Sequence, residues 1–533
     1  MKATSVLPRS PQFLPYAGPQ REALREKGQF WTPSWLAEVM ASWVTGNKPS
    51  VVFDPAVGPG TFFAAARTIG YAGDFAGFEL HSTALQEGSQ LGLTGKDFSK
   101  VRVADFISTE ISDRFDAIIS NPPYIRHHRL GEAQKRELKT MAKRLLGFTL
   151  DGRVGLHLYF LLKCLDHLAP GGRLAFLLPA DVCEGVSSSS VWNYICEKYR
   201  LEAVLMFSEE AAPFPQVDTN AMVFLISRKS PQDTFKWIQI LRKDTSAILR
   251  ALDAKNRATD DKSSVILHHR ALAEAVKTGL SRPLKNDTQQ CYPLSKFAKV
   301  VRGIATGANE FFFLTHEQLK SFGLDQSFFL RAVGRTRDCP NDIVTKMDLD
   351  KLDSQGRPTW LLNLGSDPTE ALPKRLQAYL LQGEQQGFSN RALIMSRRPW
   401  YKMEQRVPPP ILFAYLGRRD CRFILNKAGV VPLTGFLCVY PSIKTQGAAE
   451  QLWRALNHPD TVHNLRFVGK SYGGGALKVE PRQLDALEIP ATVVEEVGLT
   501  LPTSVTQLTL LEESAKYSRK SLREHKNSSR IRS

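Results

Sequence analysis

The 533-residue chain has no long apolar stretch and few cysteines. Its longest apolar runs, such as Leu174 to Pro179 and Ala221 to Ile226, fall far short of the roughly 18 residues that cross a bilayer, so a soluble protein with no membrane span is expected. Seven cysteines form no CxxC pair and leave an odd count, which argues against a disulfide scaffold and fits a reducing, cytoplasmic setting. The stretch Met1 to Tyr16 carries Lys2 and Arg9 but no apolar core of signal-peptide length, so no export is expected. His127-His128 and His268-His269 lack further ligands at metal spacing, and no metal site is expected. Acidic residues are in deficit: 53 Asp and Glu face 70 Lys and Arg, a net charge of +17. That balance points to a polyanionic partner, nucleic acid first and an anionic membrane surface second.

The residues that are present describe a folded protein. Hydrophobic residues make up 43% and charged residues 23%, which excludes wholesale disorder and supplies both a core and a solvated surface. From Val51 to about Ile226, short β-rich runs alternate with amphipathic stretches, the pattern of βαβ crossovers and a mostly parallel sheet. The runs are VVFD (51–54), FAGFEL (75–80), DAIIS (116–120), RLAFLLP (173–179), AVLMF (203–207) and AMVFLIS (221–227). Ahead of them, Thr32 is placed to cap a helix over SWLAEVMASWV, with Pro33 at its first position.

Chemistry gathers at the strand ends. The first strand runs into Asp54-Pro55-Ala56-Val57-Gly58-Pro59-Gly60, a turn of the kind that binds ligands at the carboxyl edge of an open α/β sheet. Gly58 and Gly60 permit a tight turn and close backbone approach. The loop has no Lys-Ser/Thr pair for phosphates and does not complete the three-glycine dinucleotide fingerprint, so nucleoside triphosphates and NAD lose ground. What remains is acidic. Asp54 can accept from a ligand ammonium, Glu79 can chelate a ribose diol, and Asp105 can accept from an adenine amino group. One strand-end carboxylate is commonly a cap or a surface charge; three in register after successive strands fit S-adenosylmethionine, which carries all these groups.

Asn121-Pro122-Pro123-Tyr124 follows DAIIS, at the carboxyl end of a fourth strand. An exocyclic amine on a heteroaromatic ring is a poor nucleophile because its lone pair is delocalised. Two acceptors, the Asn121 side-chain oxygen and the Pro122 carbonyl, can hold both N–H bonds and aim the lone pair at an electrophilic methyl. Tyr124 offers a face on which the base stacks.

The order of these elements resembles the amino-methyltransferases, and most of all the gamma group of adenine-N6 DNA methyltransferases from restriction–modification systems. GQFWTP (28–33) is similar to that family's N-terminal cofactor motif, DPAVGPG (54–60) to its methionine-side loop and NPPY (121–124) to its catalytic motif. GGRLAFLLPADV (171–182) resembles its fifth-strand region, and PFPQVDTNAMVFL (213–225) the segment that supplies a second aromatic against an extruded base. The resemblance implies that Thr32, Asp54, Ala56, Gly58, Gly60, Glu79, Asp105 and Asn121 contact the cofactor, Thr32 at its amino-acid end. It implies catalytic roles for Asn121, Pro122, Tyr124 and Phe214, with Phe214 packed on the target adenine opposite Tyr124.

The implied architecture is an α/β, Rossmann-like methyltransferase sheet with a C-terminal mixed α+β target-recognition domain. Boundaries are expected as a catalytic domain at 1–245, a linker at 246–290, a DNA-binding recognition domain at 291–500 and a basic tail at 501–533. VRGIATGANEFFFL (301–314), RRPWYKMEQRVPPPILFAY (397–415) and GKSYGGGALKVEPRQL (469–484) combine cations, aromatics and glycines suited to DNA. The expected activity is base-flipping methylation of adenine N6 in duplex DNA, with a separately encoded restriction endonuclease as a second partner. A methyltransferase of RNA bases or of a protein glutamine amide, and a non-catalytic DNA-binding specificity protein, are the alternatives.

Overall fold

A computed structural model describes residues 30–183, 188–214, 220–254, 263–282, 290–415, 421–471 and 477–501. The chain divides into two compact units at residue 284.

The first unit is built on a nine-stranded sheet. Its strands are β1 (Val51–Asp54), β2 (Asp74–Glu79), β3 (Lys100–Val103), β4 (Phe115–Ser120), β5 (Leu168–Pro179), β6 (Arg200–Phe207), β7 (Ala221–Ser227), β8 (Thr234–Ile240) and β9 (Val265–Ala271). They lie in the order β3-β2-β1-β4-β5-β7-β6-β8-β9. Strands β3 to β5 pair in parallel, and β7 runs antiparallel to both β5 and β6. The apolar runs are continuous because both faces are covered. Val52, Ile119 and Leu177 point into one core, whereas Phe53, Ile118 and Phe176 point into the other. Helices α1 (Ser34–Thr45) and α2 (Thr61–Thr68) cover the first face. Helices α3 (Glu132–Leu146), α4 (Leu156–Asp166) and α5 (Ser188–Lys198) cover the second.

From β1 the chain turns to β2 and β3 on one side, then crosses to β4 on the other. A reversal of this kind is where open α/β sheets bind their ligands, here at the carboxyl ends of β1 and β4. Asp54 ends one strand and Asn121 follows the other, so the topology alone brings the two motifs together.

Two expectations need correction. Helix α1 starts at Ser34 with Pro33 as its cap residue and no side-chain cap, so Thr32 does not cap it. Its hydroxyl is engaged elsewhere. The stretch 246–290 is not a plain linker either: it holds most of a helix at Thr245–Asp253, then β9 and a helix at Leu272–Thr278. Strand β9 pairs along its whole length with β8 and extends the nine-stranded sheet to its edge.

The second unit is mixed. Its five-stranded sheet has the order Ala298–Arg302, Phe436–Pro441, Ile411–Ala414, Arg422–Asn426 and Ile343–Val344. A four-stranded sheet orders Phe313–Leu314, Trp360–Leu362, Phe329–Val333 and Val431–Pro432. Each sheet contains one parallel pair among antiparallel ones. The aromatics Phe311, Phe312, Phe313 and Tyr401 are buried in its core, so they serve packing. Arg397 is tied to the Ala305 and Thr306 carbonyls, each at 2.8 Å.

Candidate active site

The glycine turn is held by the acids around it. Asp54 Oδ1 accepts from the Ala56 N–H and the Ser120 hydroxyl, each at 2.9 Å, and so ties the end of β1 to the end of β4. Glu79 accepts from the Gly58 N–H at 2.7 Å on one oxygen and from the His81 N–H at 2.9 Å on the other. The second acid therefore braces the loop of the first. Gly58 has φ +56°, and a Cβ added there would meet nothing within 4 Å, so the loop faces open space. Gly60, at φ +84°, has no such room: a Cβ would lie 2.6 Å from Leu93.

Asp54 is only 1% exposed. Burial pushes its carboxyl up to about 7, against the lowering effect of its hydrogen bonds. A carboxylate in that condition gains much from a cationic ligand. Asp105 follows β3; its Oδ1 accepts from the Ile107 N–H at 2.9 Å, and its carbonyl accepts from the Thr109 hydroxyl at 2.6 Å. Asp54, Glu79 and Asp105 thus stand at the carboxyl ends of three adjacent strands. The loop 54–60 carries no lysine or arginine. This donor and acceptor set fits a cationic, phosphate-free nucleoside such as S-adenosylmethionine.

The NPPY turn follows β4. Asn121 Nδ2 donates to the Phe30 carbonyl at 2.7 Å and to Thr32 Oγ1 at 3.2 Å. A carbonyl can only accept, so this pairing dictates which way the amide faces. Its Oδ1 is left without a donor among the described residues, and so is the Pro122 carbonyl. Burial raises the Tyr124 phenol well above its usual range; it stays protonated and donates to the Leu177 carbonyl at 3.1 Å. Phe214 lies in the core of the first face. Phe30 contacts both aromatics, with ring centroids 6.1 Å from Tyr124 and 5.9 Å from Phe214.

Sequence reasoning missed Phe30, although it lies inside GQFWTP; its carbonyl function leaves no trace in residue type. It also missed His157, whose ring meets Tyr124 edge-on at 5.8 Å. Of the quoted motifs, residues 28–29 and 215–219 lie outside the described residues, as do 472–476 in the segment 469–484 and the tail from 502.

A family model for the N-6 DNA methylases matches residues 19–302, more than half of the chain. The chain belongs to the N-6 DNA methylase family. A second model, for the C-terminal domain of the type II methyltransferase M.Eco57I, matches residues 272–522. The chain is 28% identical over 475 residues to the type II methyltransferase M.AccI of Acinetobacter calcoaceticus, spanning 87% of this chain and 85% of that protein. It is 24% identical over 475 residues to M.XamI of Xanthomonas campestris pv. amaranthicola, with the same coverage. Among solved structures, the type IIG restriction endonuclease BpuSI aligns with 91% of this chain at 15% identity and a TM-score of 0.44. The chain spans 64% of that protein's length. Membership of this family bears out the resemblance carried by the glycine turn and NPPY. Among the described residues no helix is long and apolar enough to cross a membrane.

Proposed function

We propose that this N-6 DNA methylase transfers a methyl group from S-adenosylmethionine to the N6 amino group of adenine in duplex DNA. The observation that carries this reading is a pair of acceptors without a donor among the described residues, Asn121 Oδ1 and the Pro122 carbonyl, beside the acid-braced turn. S-adenosylmethionine supplies an electrophilic methyl on a sulfonium. Asp54 pairs with its ammonium, Glu79 takes the ribose hydroxyls on its remaining lone pairs, and Asp105 meets the adenine. Ala56, Gly58 and Gly60 line the turn.

On the other side, Asn121 and Pro122 accept the two N–H bonds of the target amine and localise its lone pair on nitrogen. No base acts first; as the N–C bond forms the S–C bond breaks, S-adenosylhomocysteine leaves, and the methylated nitrogen sheds its proton to water. Tyr124 and Phe214 enclose a base rotated out of the duplex, which it must be to reach a crevice at a sheet edge. Residues 291–500, in the second unit, serve as the DNA-gripping and recognition domain, and a separately encoded restriction endonuclease cuts the unmodified site. Incubation with isotope-labelled donor and duplex DNA, followed by nucleoside analysis, tests the reading. Label in N6-methyldeoxyadenosine is expected; label in cytosine, or none in DNA, contradicts it.

A further inference from the structure

Lys163 sits in α4 with 6% of its surface exposed, and forms no ion pair among the described residues. A buried ammonium costs several kcal/mol unless its hydrogen bonds are met. Here all three are. Nζ donates to the carbonyls of Phe106 at 2.7 Å, Ile107 at 2.8 Å and Thr109 at 2.7 Å. Those carbonyls belong to the loop that follows β3 and carries Asp105. The same loop closes on itself, since the Thr109 N–H and hydroxyl both return to the Asp105 carbonyl.

The helix that holds this loop also holds the catalytic turn. In its first turn, the Leu156 N–H donates to the Ile125 carbonyl at 2.9 Å, one residue beyond Tyr124. Leu156 and Lys163 are separated by about 10 Å of helix at 1.5 Å per residue. One rigid element therefore carries an anchor for each half of the site.

We propose that Lys163 is a positioning residue that fixes the Asp105 loop for the adenosine half of the methyl donor. This rests on the reading of the acid-lined crevice as a donor pocket. Three backbone carbonyls turned to one point cannot be satisfied by an apolar side chain, and without Lys163 they would turn away and take Asp105 with them. The loss falls on donor binding, because the NPPY turn keeps its own ties to Phe30, Thr32 and Leu156.

The test is calorimetric titration of the full chain with S-adenosylhomocysteine, alongside steady-state kinetics on duplex DNA. Lys163→Met is expected to weaken S-adenosylhomocysteine binding and raise the donor KM by about tenfold. Its kcat at saturating donor and its DNA affinity stay at the wild-type level. Lys163→Arg, which keeps the charge and part of the donor set, recovers part of the loss. A folded Lys163→Met protein that binds S-adenosylhomocysteine like wild type overturns the proposal, as does one whose kcat and DNA affinity fall in step with donor affinity. Should Lys163→Met fail to fold, Lys163→Gln, whose shorter amide cannot reach all three carbonyls, takes its place; unchanged donor affinity in that folded variant overturns the proposal equally. A wild-type protein that does not bind S-adenosylhomocysteine refutes the pocket reading itself.

Discussion

In the proposed reaction Asn121 acts through the orientation of one amide, which two acceptors fix. Replacing it by alanine removes the Oδ1 acceptor and leaves the acid-braced loop intact. Asn121→Ala should lower kcat by about a hundredfold or more while donor affinity measured by calorimetry stays near wild type. Thr32→Val removes the weaker of the two ties and should cost roughly 1 kcal/mol, a loss of about fivefold in kcat. Asp54 gives a prediction in pH. Its carboxyl is held at about 7, above the unfolded value of 3.8, so donor binding should weaken as pH falls through 7 and the carboxylate is protonated. In Asp54→Asn, binding should be weak and flat with pH. Stability moves the other way. A raised carboxyl pKa means the folded state holds the proton more tightly, so folding stability is fully present below pH 3.8 and is lost as pH rises toward 7. At pH 8 the buried charge costs on the order of 4 kcal/mol, and Asp54→Asn should melt at a higher temperature than wild type there, with the gap closing near pH 4.

At the scale of elements, the site depends on how closely β2 approaches the turn after β1. A Cβ on Gly77 would lie 2.2 Å from the Asp54 carbonyl, so Gly77→Val should destabilise the first unit by about 1–3 kcal/mol in denaturant unfolding and weaken donor binding with it. Strands β1, β4, β5 and β7 were legible in the sequence because burial on both faces makes them unbroken apolar runs. Strand β9 was not. It is the edge of the sheet, and His268 and His269 of VILHHRA are exposed, so its pairing is invisible to any apolar pattern. Thr32 was placed in the right motif with the wrong bond, since a hydroxyl beside proline reads as a helix cap until Asn121 is found in space. Lys163 and Phe30 were hidden for one reason: each works through backbone carbonyls, which every residue has. In the second unit, the mixed topology stayed closed because its strands are short and its aromatics pack inward.

For the whole molecule, the charge of +17 is spread over both units and should appear as a steep salt dependence. If six phosphates are neutralised, DNA affinity falls by roughly a thousandfold between 50 and 200 mM salt. Exposed Lys402 carries no ion pair among the described residues, whereas Arg397 is spent on backbone. Lys402→Ala is therefore expected to flatten the slope by about one unit, and an unchanged slope would take Lys402 out of the DNA contact. The most direct measurement is mass spectrometry of nucleosides from duplex DNA incubated with methyl-deuterated S-adenosylmethionine and either wild-type or Asn121→Ala protein. Deuterated N6-methyldeoxyadenosine should appear with the wild type and be nearly absent with the variant. Equal yields from the two proteins, or the deuterated methyl found on cytosine, would contradict a crevice in which Asn121 and Pro122 hold an adenine amine before the donor.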